Sequence, residues 1–239
     1  MLQQTQVSRV IPKYQLFLQK FPTSKALAKA TPAEVLKVWS GLGYNRRGLY
    51  LRRAAHMVMA NYKGRLPRTI EALTELPGVG INTAGAIAAY AYNYPTVFIE
   101  TNIRRTFLHH FFPGKKNIAD NQLRSIIEKS LDVKNPKEWY WALMDYGSYL
   151  ATQGSNPNRR SKHYAKQSKF EGSRRQLRGK IIRLLLEKPL SVKELITELG
   201  VELSGVVSSL EKEGFAIRKN SKLQISNSSA KGGSAFGGK

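Results

Sequence analysis

The 239-residue sequence predicts an all-α architecture with one short β-hairpin near the C-terminus. Three observations carry this. Apolar residues recur at spacings of three and four along most of the chain, as the core face of a helix requires. Two capping-box signatures, Thr31-Pro32 with Glu34 and Ser191 with Glu194, mark helix starts. Segments that alternate as strands are few, with Thr96 to Ile99 a short candidate inside the first 150 residues.

The elements follow in order. Val7, Val10, Tyr14, Phe17 and Leu18 predict a first helix, with a kink or a fresh first turn at Pro12. A helix from the Thr31 cap runs through Val35, Leu36 and Trp39 and stops at Gly41. Further helices are expected over Arg47 to Tyr62, from Pro67-Arg68-Thr69 to Leu76, over Ala84 to Ala91, near Asn121 to Ser130 and near Trp139 to Leu150. The run Ala84 to Ala91 is small and apolar, which suits close helix packing.

Composition then shifts. Residues 1–153 read as one all-α domain and residues 154–173 as a basic linker, broken by Gly154, Pro157 and Gly172. Residues 174–226 hold three helical segments and a hairpin around Lys219-Asn220-Ser221, the order of a winged helix-turn-helix-like unit. Such units contact DNA or protein, and the basic wing of Arg218, Lys219 and Lys222 favours DNA. Residues 227–239 are rich in Ser, Gly and Lys and are expected to be disordered.

A formal charge of +23, from 39 Lys and Arg against 16 Asp and Glu, repels itself unless a polyanion neutralises it. Double-stranded DNA is the expected partner, bound by a monomer. The absence of cysteine excludes disulfides and thiolate-held zinc or iron–sulfur sites. Four scattered histidines (56, 109, 110 and 163) make a metal site unexpected. No apolar run is long enough for a membrane span, no membrane partner is expected, and no secretory signal is visible. A cytoplasmic location is expected, associated with the nucleoid in a prokaryote.

The most informative local stretch is Leu76-Pro77-Gly78-Val79-Gly80, followed by Thr83-Ala84-Gly85. Gly-x-Gly allows a tight turn with positive φ and clears side chains from the path of an approaching backbone. The turn feeds a helix N-terminus, whose free N–H groups and dipole favour an anion. Gly78, Val79, Gly80 and Thr83 are therefore expected to hold a DNA phosphate, a contact that positions a duplex without reading sequence.

With these residues in view, the chain resembles the helix-hairpin-helix DNA glycosylases, and among them the MutY-type adenine glycosylases with an endonuclease III-like fold. Met1-Leu2-Gln3-Gln4-Thr5-Gln6-Val7, Gly41-Leu42-Gly43-Tyr44, Leu76 to Gly85 and Ile99-Glu100-Thr101-Asn102-Ile103-Arg104-Arg105 carry the likeness. The resemblance implies that a base is flipped out of the duplex, with Gln3 and Gln4 at the opposite strand and the extruded nucleotide and Tyr44 wedged into the stack. The alternatives are exposed helix positions for the glutamines and a core role for the tyrosine. It implies that Glu100, standing where the family has an Asp, stabilises the positive charge that develops on the sugar, and that Asn102 helps hold the site. Arg104 and Arg105 are expected DNA contacts, or ion-pair partners of Glu100. Asn82 stands where endonuclease III relatives have a nucleophilic Lys, so a monofunctional enzyme using water is expected.

The resemblance also has gaps. The family's iron–sulfur cysteines fall on Ala151, Asn158, Ser161 and Gln167, so no cofactor is expected and the basic loop is expected to substitute by its own packing and phosphate contacts. The family's general-acid Glu lies two residues before the position of Met1, which predicts a truncated start or a missing upstream segment and impaired base removal. The C-terminal unit is too short for the nucleotide-hydrolase-like domain of that family. The expected function is base-excision repair by a DNA N-glycosylase acting on adenine opposite guanine or 8-oxoguanine. The alternatives are a catalytically impaired lesion-recognition protein and a winged-helix transcription regulator. The latter leaves Gln3, Tyr44, Glu100 and Asn102 without a role.

Overall fold

The structure is a computed structural model that describes residues 1–227 apart from Gln4, Ser155 and Ser204; the expected roles of Gln4 and of the tail beyond residue 227 lie outside the described residues. In chain order the elements are α1 (Val7–Lys20), α2 (Ser24–Lys29), α3 (Pro32–Trp39), α4 (Arg46–Asn61), α5 (Ile70–Thr74), α6 (Ile81–Tyr92), α7 (Thr101–Phe111), α8 (Asp120–Ser130) and α9 (Pro136–Thr152). A 3₁₀ turn (Pro157–Arg160) follows, then α10 (Arg174–Glu187), α11 (Val192–Leu199), α12 (Val206–Lys212), β1 (Ala216–Lys219) and β2 (Lys222–Ile225). The architecture is predominantly helical, as the periodicity demands. No helix among the described residues is long and apolar enough to cross a membrane.

The chain packs into two compact units, one formed by Met1–Arg65 with the chain from Ser168 onward, the other by Leu66–Gln167. In the first unit both predicted capping boxes form. The Thr31 hydroxyl accepts from Glu34 N, and the Glu34 carboxylate accepts from Thr31 N. Ser191 and Glu194 repeat the arrangement at α11. α1 continues through Pro12 to Lys20 without a break. Phe17 packs edge-on against Phe21 and Trp39, and a side chain at Gly48 would collide with the Trp39 ring at 2.9 Å, so α3 and α4 lie close.

The core of the C-terminal elements extends into α3 and α4. Leu36 of α3 and Leu49 of α4 belong to the same buried cluster as Ile181, Leu185, Leu195, Leu210, Phe215 and Leu223. Glu213 accepts from Arg178 and pairs with Arg46, tying α12 to α10 and α4. Residues 174–226 therefore depend on α3 and α4 for part of their apolar cover, which sequence periodicity alone could not reveal. The three helices and the hairpin stand in the predicted order. Asn220 and Ser221 both take positive φ, the two-residue turn that matches strand twist, and Leu190 pairs with Leu223 on the outer edge of β2.

The second unit is built around α7. Phe98, Ile103, Phe107, Leu108, Leu123, Ile127 and Tyr140 form its core. Thr96 to Ile99 is extended but forms no strand, because nothing pairs with it edge to edge. Its backbone is satisfied by side chains instead: the Tyr140 hydroxyl donates to Thr96 O at 2.8 Å and accepts from Phe98 N, and Asn82 Oδ1 accepts from Ile99 N at 3.1 Å.

The expected linker is in part a packed element. Asn158 and Ser161 are buried, Ile118 N donates to Arg160 O, and Lys162 N donates to Ile118 O. Beyond it, residues 162–172 are exposed and irregular.

The shared core yields a first expectation. Leu36 is 1% exposed, and Leu36→Ala should cost about 2–5 kcal/mol. Hydrogen exchange should quicken at Ile181–Leu185 and Val206–Leu210 as well as in α3. Acceleration confined to α3 would show that the C-terminal elements do not depend on Leu36.

Candidate functional site

The residues singled out from the sequence fall in both units. In the first unit, Gly41 and Gly43 adopt positive φ (93° and 73°) around the buried Leu42, and Trp39 Nε1 donates to Gly43 O. Tyr44 then takes φ 45°, a conformation that a bulky residue adopts only at a cost of roughly 1–3 kcal/mol. It is 41% exposed, which removes the core alternative. Its ring is not loose: the Arg47 guanidinium lies 5.4 Å from the centroid, and Arg175 Nη1 donates to the hydroxyl at 3.0 Å.

Arg47 organises this half. It donates to Met1 O, to Gln3 O at 2.6 Å, to the Thr5 hydroxyl and to Leu42 O, and it also lies over Trp39. One side chain thus ties the segment Met1–Thr5 to the Gly41–Tyr44 turn. Gln3 is exposed and precedes α1, so the helix-surface alternative does not describe it. Sequence reasoning missed Arg47, although a signal existed. Arg46 and Arg47 open α4, where the helix dipole disfavours cations, and a residue kept there against that preference has work elsewhere.

In the second unit the hairpin joins α5 to α6. Val79 N donates to Leu76 O across the turn. Gly78 takes φ 81°, whereas Gly80 sits at φ −90° as the N-cap of α6, a conformation open to any residue. The expectation of positive φ thus holds for Gly78 and is corrected for Gly80. What Gly80 supplies is room, since a side chain there would meet nothing within 4 Å. No side chain caps α6, and Ile81 is exposed beside the turn. The first-turn N–H groups of α6 can serve an external anion.

Asn82, in the first turn of α6, clamps Ile99 N, so it positions the residue before Glu100. Glu100 is the N-cap of α7: its carboxylate accepts from Asn102 N at 2.7 Å and from Asn102 Nδ2 at 3.4 Å. Burial pushes its pKa above the ordinary glutamate range, outweighing the backbone donors and Arg105, which pull the other way. The expected ion pairing of Glu100 takes a different form. Arg104 forms a two-pronged pair with Asp120 (3.0 and 2.7 Å), and Arg105 donates to Asn102 Oδ1 and Gly147 O, both at 2.6 Å. Both arginines build the framework behind the carboxylate.

Gly147 explains why Asn102 stays in place. A Cβ there would collide with Asn102 O and lie 2.7 Å from Asn102 Cβ, so α9 can meet the start of α7 only without a side chain. The packed turn Pro157–Arg160 supports α7 at both ends. Asn158 Nδ2 donates to Thr101 O, and Arg160 Nη1 donates to Leu108 O and Phe112 O at the C-terminus.

The positions matched to cluster ligands do not fit an iron–sulfur group. Ala151 has no donor atom, Asn158 is engaged with Thr101, and the Ser161 hydroxyl accepts from His163 N. Among the described residues no group of three or more His, Asp or Glu side chains could hold a metal.

Two outcomes follow from this geometry. Gly147→Ala should lower stability by about 1–3 kcal/mol and shift the Asn102 and Thr101 amide resonances; unperturbed amides would show that the contact is not limiting. A carboxylate whose folded pKa is raised holds its proton more tightly folded than unfolded, so ionising Glu100 costs stability as pH rises through the folded value. Glu100→Gln should therefore melt higher than the parent at pH 7, with the gain shrinking as pH falls; a gain that grows towards acid would reverse the sign of the shift.

Comparison with known proteins agrees with this geometry. The family model described as HhH-GPD superfamily base excision DNA repair protein matches residues 1–132. A human protein named adenine DNA glycosylase is 38% identical over 156 residues, covering 64% of this chain and 29% of its own length. A Mycolicibacterium smegmatis protein of that name is 44% identical over 105 residues, covering 44% and 36%. One from Mycobacterium tuberculosis is 30% identical over 226 residues, covering 82% and 71%. The chain thus spans about a third of the length of the human and M. smegmatis relatives. A thermostable thymine-DNA glycosylase superposes with a TM-score of 0.59 at 24% identity, covering 65% of this chain and 73% of the other. An endonuclease III trapped on DNA superposes with a TM-score of 0.54 at 18% identity, covering 62% and 70%; both likenesses speak to the fold alone. The glycine-turned hairpin, the capped acidic loop and the family match together place this chain in the HhH-GPD superfamily of base excision DNA repair proteins.

Proposed function

We propose that the chain is a monofunctional DNA N-glycosylase that removes adenine from mispairs with guanine or 8-oxoguanine. The observation that carries this reading is Glu100: a half-buried carboxylate fixed at the start of α7 by Asn102, one residue after a backbone clamped by Asn82. Relatives named adenine DNA glycosylase supply the substrate class. In the reaction the bond from the sugar C1′ to the base nitrogen breaks and the bonding electrons leave with the base. The sugar is left cationic until water adds to C1′ and loses a proton. A fixed anion beside C1′ stabilises that cation and needs no rearrangement as it forms. Asn82 carries no amine to attack C1′, and it holds Ile99 N, so water remains the nucleophile. DNA is engaged through the α6 N-terminus at the hairpin and through a strongly basic surface. Tyr44, held by Arg47 and Arg175, is the wedge.

A single-turnover excision assay on adenine opposite 8-oxoguanine tests the reading. Glu100→Gln should lose activity at least about 100-fold, comparable to removal of other electrostatic stabilisers, with duplex affinity little changed. Because the ionised carboxylate does the work and burial raises its pKa, activity should fall on the acid side above the ordinary glutamate value. Equal excision by Glu100→Gln and the parent would remove Glu100 from the mechanism. Duplex binding without any base removal by the parent would favour a lesion-recognition role.

Duplex affinity should also drop steeply with salt, in proportion to the phosphates neutralised. A flat dependence would contradict a DNA partner.

A further inference from the structure

A second site lies in the Leu66–Gln167 unit, at the end of α6 remote from the hairpin. Residues 90–94 close α6, and with Arg68 and Lys137 they line an open concavity of about 360 Å³, within the range of pockets that take small organic ligands. α6 is 12 residues long, which separates this end from the hairpin end by roughly 18 Å. The extended run 94–99 travels back along the helix: Tyr94 N donates to Ala88 O near its end, whereas Ile99 N reaches Asn82 near its start. The concavity and the Glu100 loop therefore lie towards opposite ends of α6.

Its walls combine aromatic faces with cations. Tyr94 is 42% exposed, and Trp141, which stands beside the lining rather than in it, is 50% exposed. Trp141 stacks on Tyr90 at 6.5 Å and 16°. The Lys137 ammonium lies 4.7 Å from the Trp141 ring centre, and the Arg68 guanidinium 5.4 Å from that of Tyr92. No carboxylate lines the cavity, and neither cation has an acidic partner among the described residues.

The shape is built rather than incidental. The Tyr92 hydroxyl donates to Leu66 O at 2.8 Å. Asn93, in the left-handed conformation, accepts from Lys137 N and donates to Lys134 O, which joins the end of α6 to the first turn of α9.

The geometry points to a binding site for one unpaired nucleotide, with its base stacked on the exposed tyrosine face and its phosphate held by Arg68 and Lys137. A bare anion would need the cations alone, and a duplex keeps its bases stacked inside; a base with a free face and an attached phosphate uses both sets of groups. The ligand chemistry is shared by a free mononucleotide and by a nucleotide within a single strand. The inference is separable from base removal, because neither residue varied in its test, Tyr94 or Arg68, belongs to the Glu100 loop.

Photocrosslinking of the full chain tests it. A short single-stranded oligonucleotide bearing one 5-iodouracil is irradiated with the protein, and adducts are mapped by mass spectrometry. A duplex is added in excess to occupy the hairpin face. Adducts are expected on residues 90–94 or Trp141, reduced about tenfold in yield at limiting protein by Tyr94→Ala and by Arg68→Ala, both of which should keep the parent melting temperature. Thymidine monophosphate competing at concentrations similar to the oligonucleotide would identify a free nucleotide as the ligand, and competition only at large excess a strand; either supports the site. Adducts confined to other segments, no adducts, or equal competition by inorganic phosphate would overturn it.

Discussion

Residue 147 carries no side chain because Asn102 occupies the space one would need. This close approach of α9 to the first turn of α7 is the constraint on which the site depends. It puts Gly147 O within reach of Arg105, whose guanidinium then holds the Asn102 side chain, and Asn102 N caps onto Glu100. Each link fixes the next: a helix contact sets an arginine, the arginine sets an amide, and the amide side aims a carboxylate. The energetic cost falls on Glu100, which is held where burial opposes its charge. A side chain placed for reactivity rather than comfort is what a catalytic position looks like in stability terms.

α7 has to stay still for that chain of contacts to matter. The resemblance sets the family's cluster cysteines against Ala151, Asn158, Ser161 and Gln167. Here the residues at those positions cannot ligate a cluster, and hydrogen bonds grip α7 instead. Asn158 holds the N-terminal Thr101 carbonyl, Arg160 the Leu108 and Phe112 carbonyls at the C-terminus, and the Ile118 pairing anchors the turn that bears both. A charged donor on helix-end carbonyls also complements the helix dipole. The basic character of this loop therefore has an internal use beyond any contact with phosphate.

Much of the fold was legible because it is written in local signals. The capping boxes at Thr31 and Ser191, the Gly78 turn and the Asn220-Ser221 turn act within a few residues and form as read. What was not legible depends on partners distant in sequence. Leu36 and Leu49 look like ordinary core residues of an N-terminal domain, and nothing local says that they cover Ile181 and Leu210. Thr96 to Ile99 alternates like a strand, but a strand needs an edge to pair with, and this segment finds Tyr140 and Asn82 instead. At the candidate site the identities of Glu100, Asn102 and Tyr44 could be read from motif residues. Their restraints could not: Arg47, Gly147 and Arg160 act over separations that periodicity does not encode, and Arg104 turns to Asp120 rather than outward.

The central claim is that packing around α7 holds Glu100 in an environment that resists its ionisation while keeping it aimed. Its titration can be followed directly through the side-chain carboxyl carbon in ¹³C-glutamate-labelled protein, with Glu100→Gln identifying the resonance. The midpoint should lie above that of an ordinary glutamate and move back towards it in Gly147→Ala, where the helix contact is forced apart. A midpoint at or below the ordinary value in the parent protein, or one indifferent to Gly147→Ala, would contradict the account.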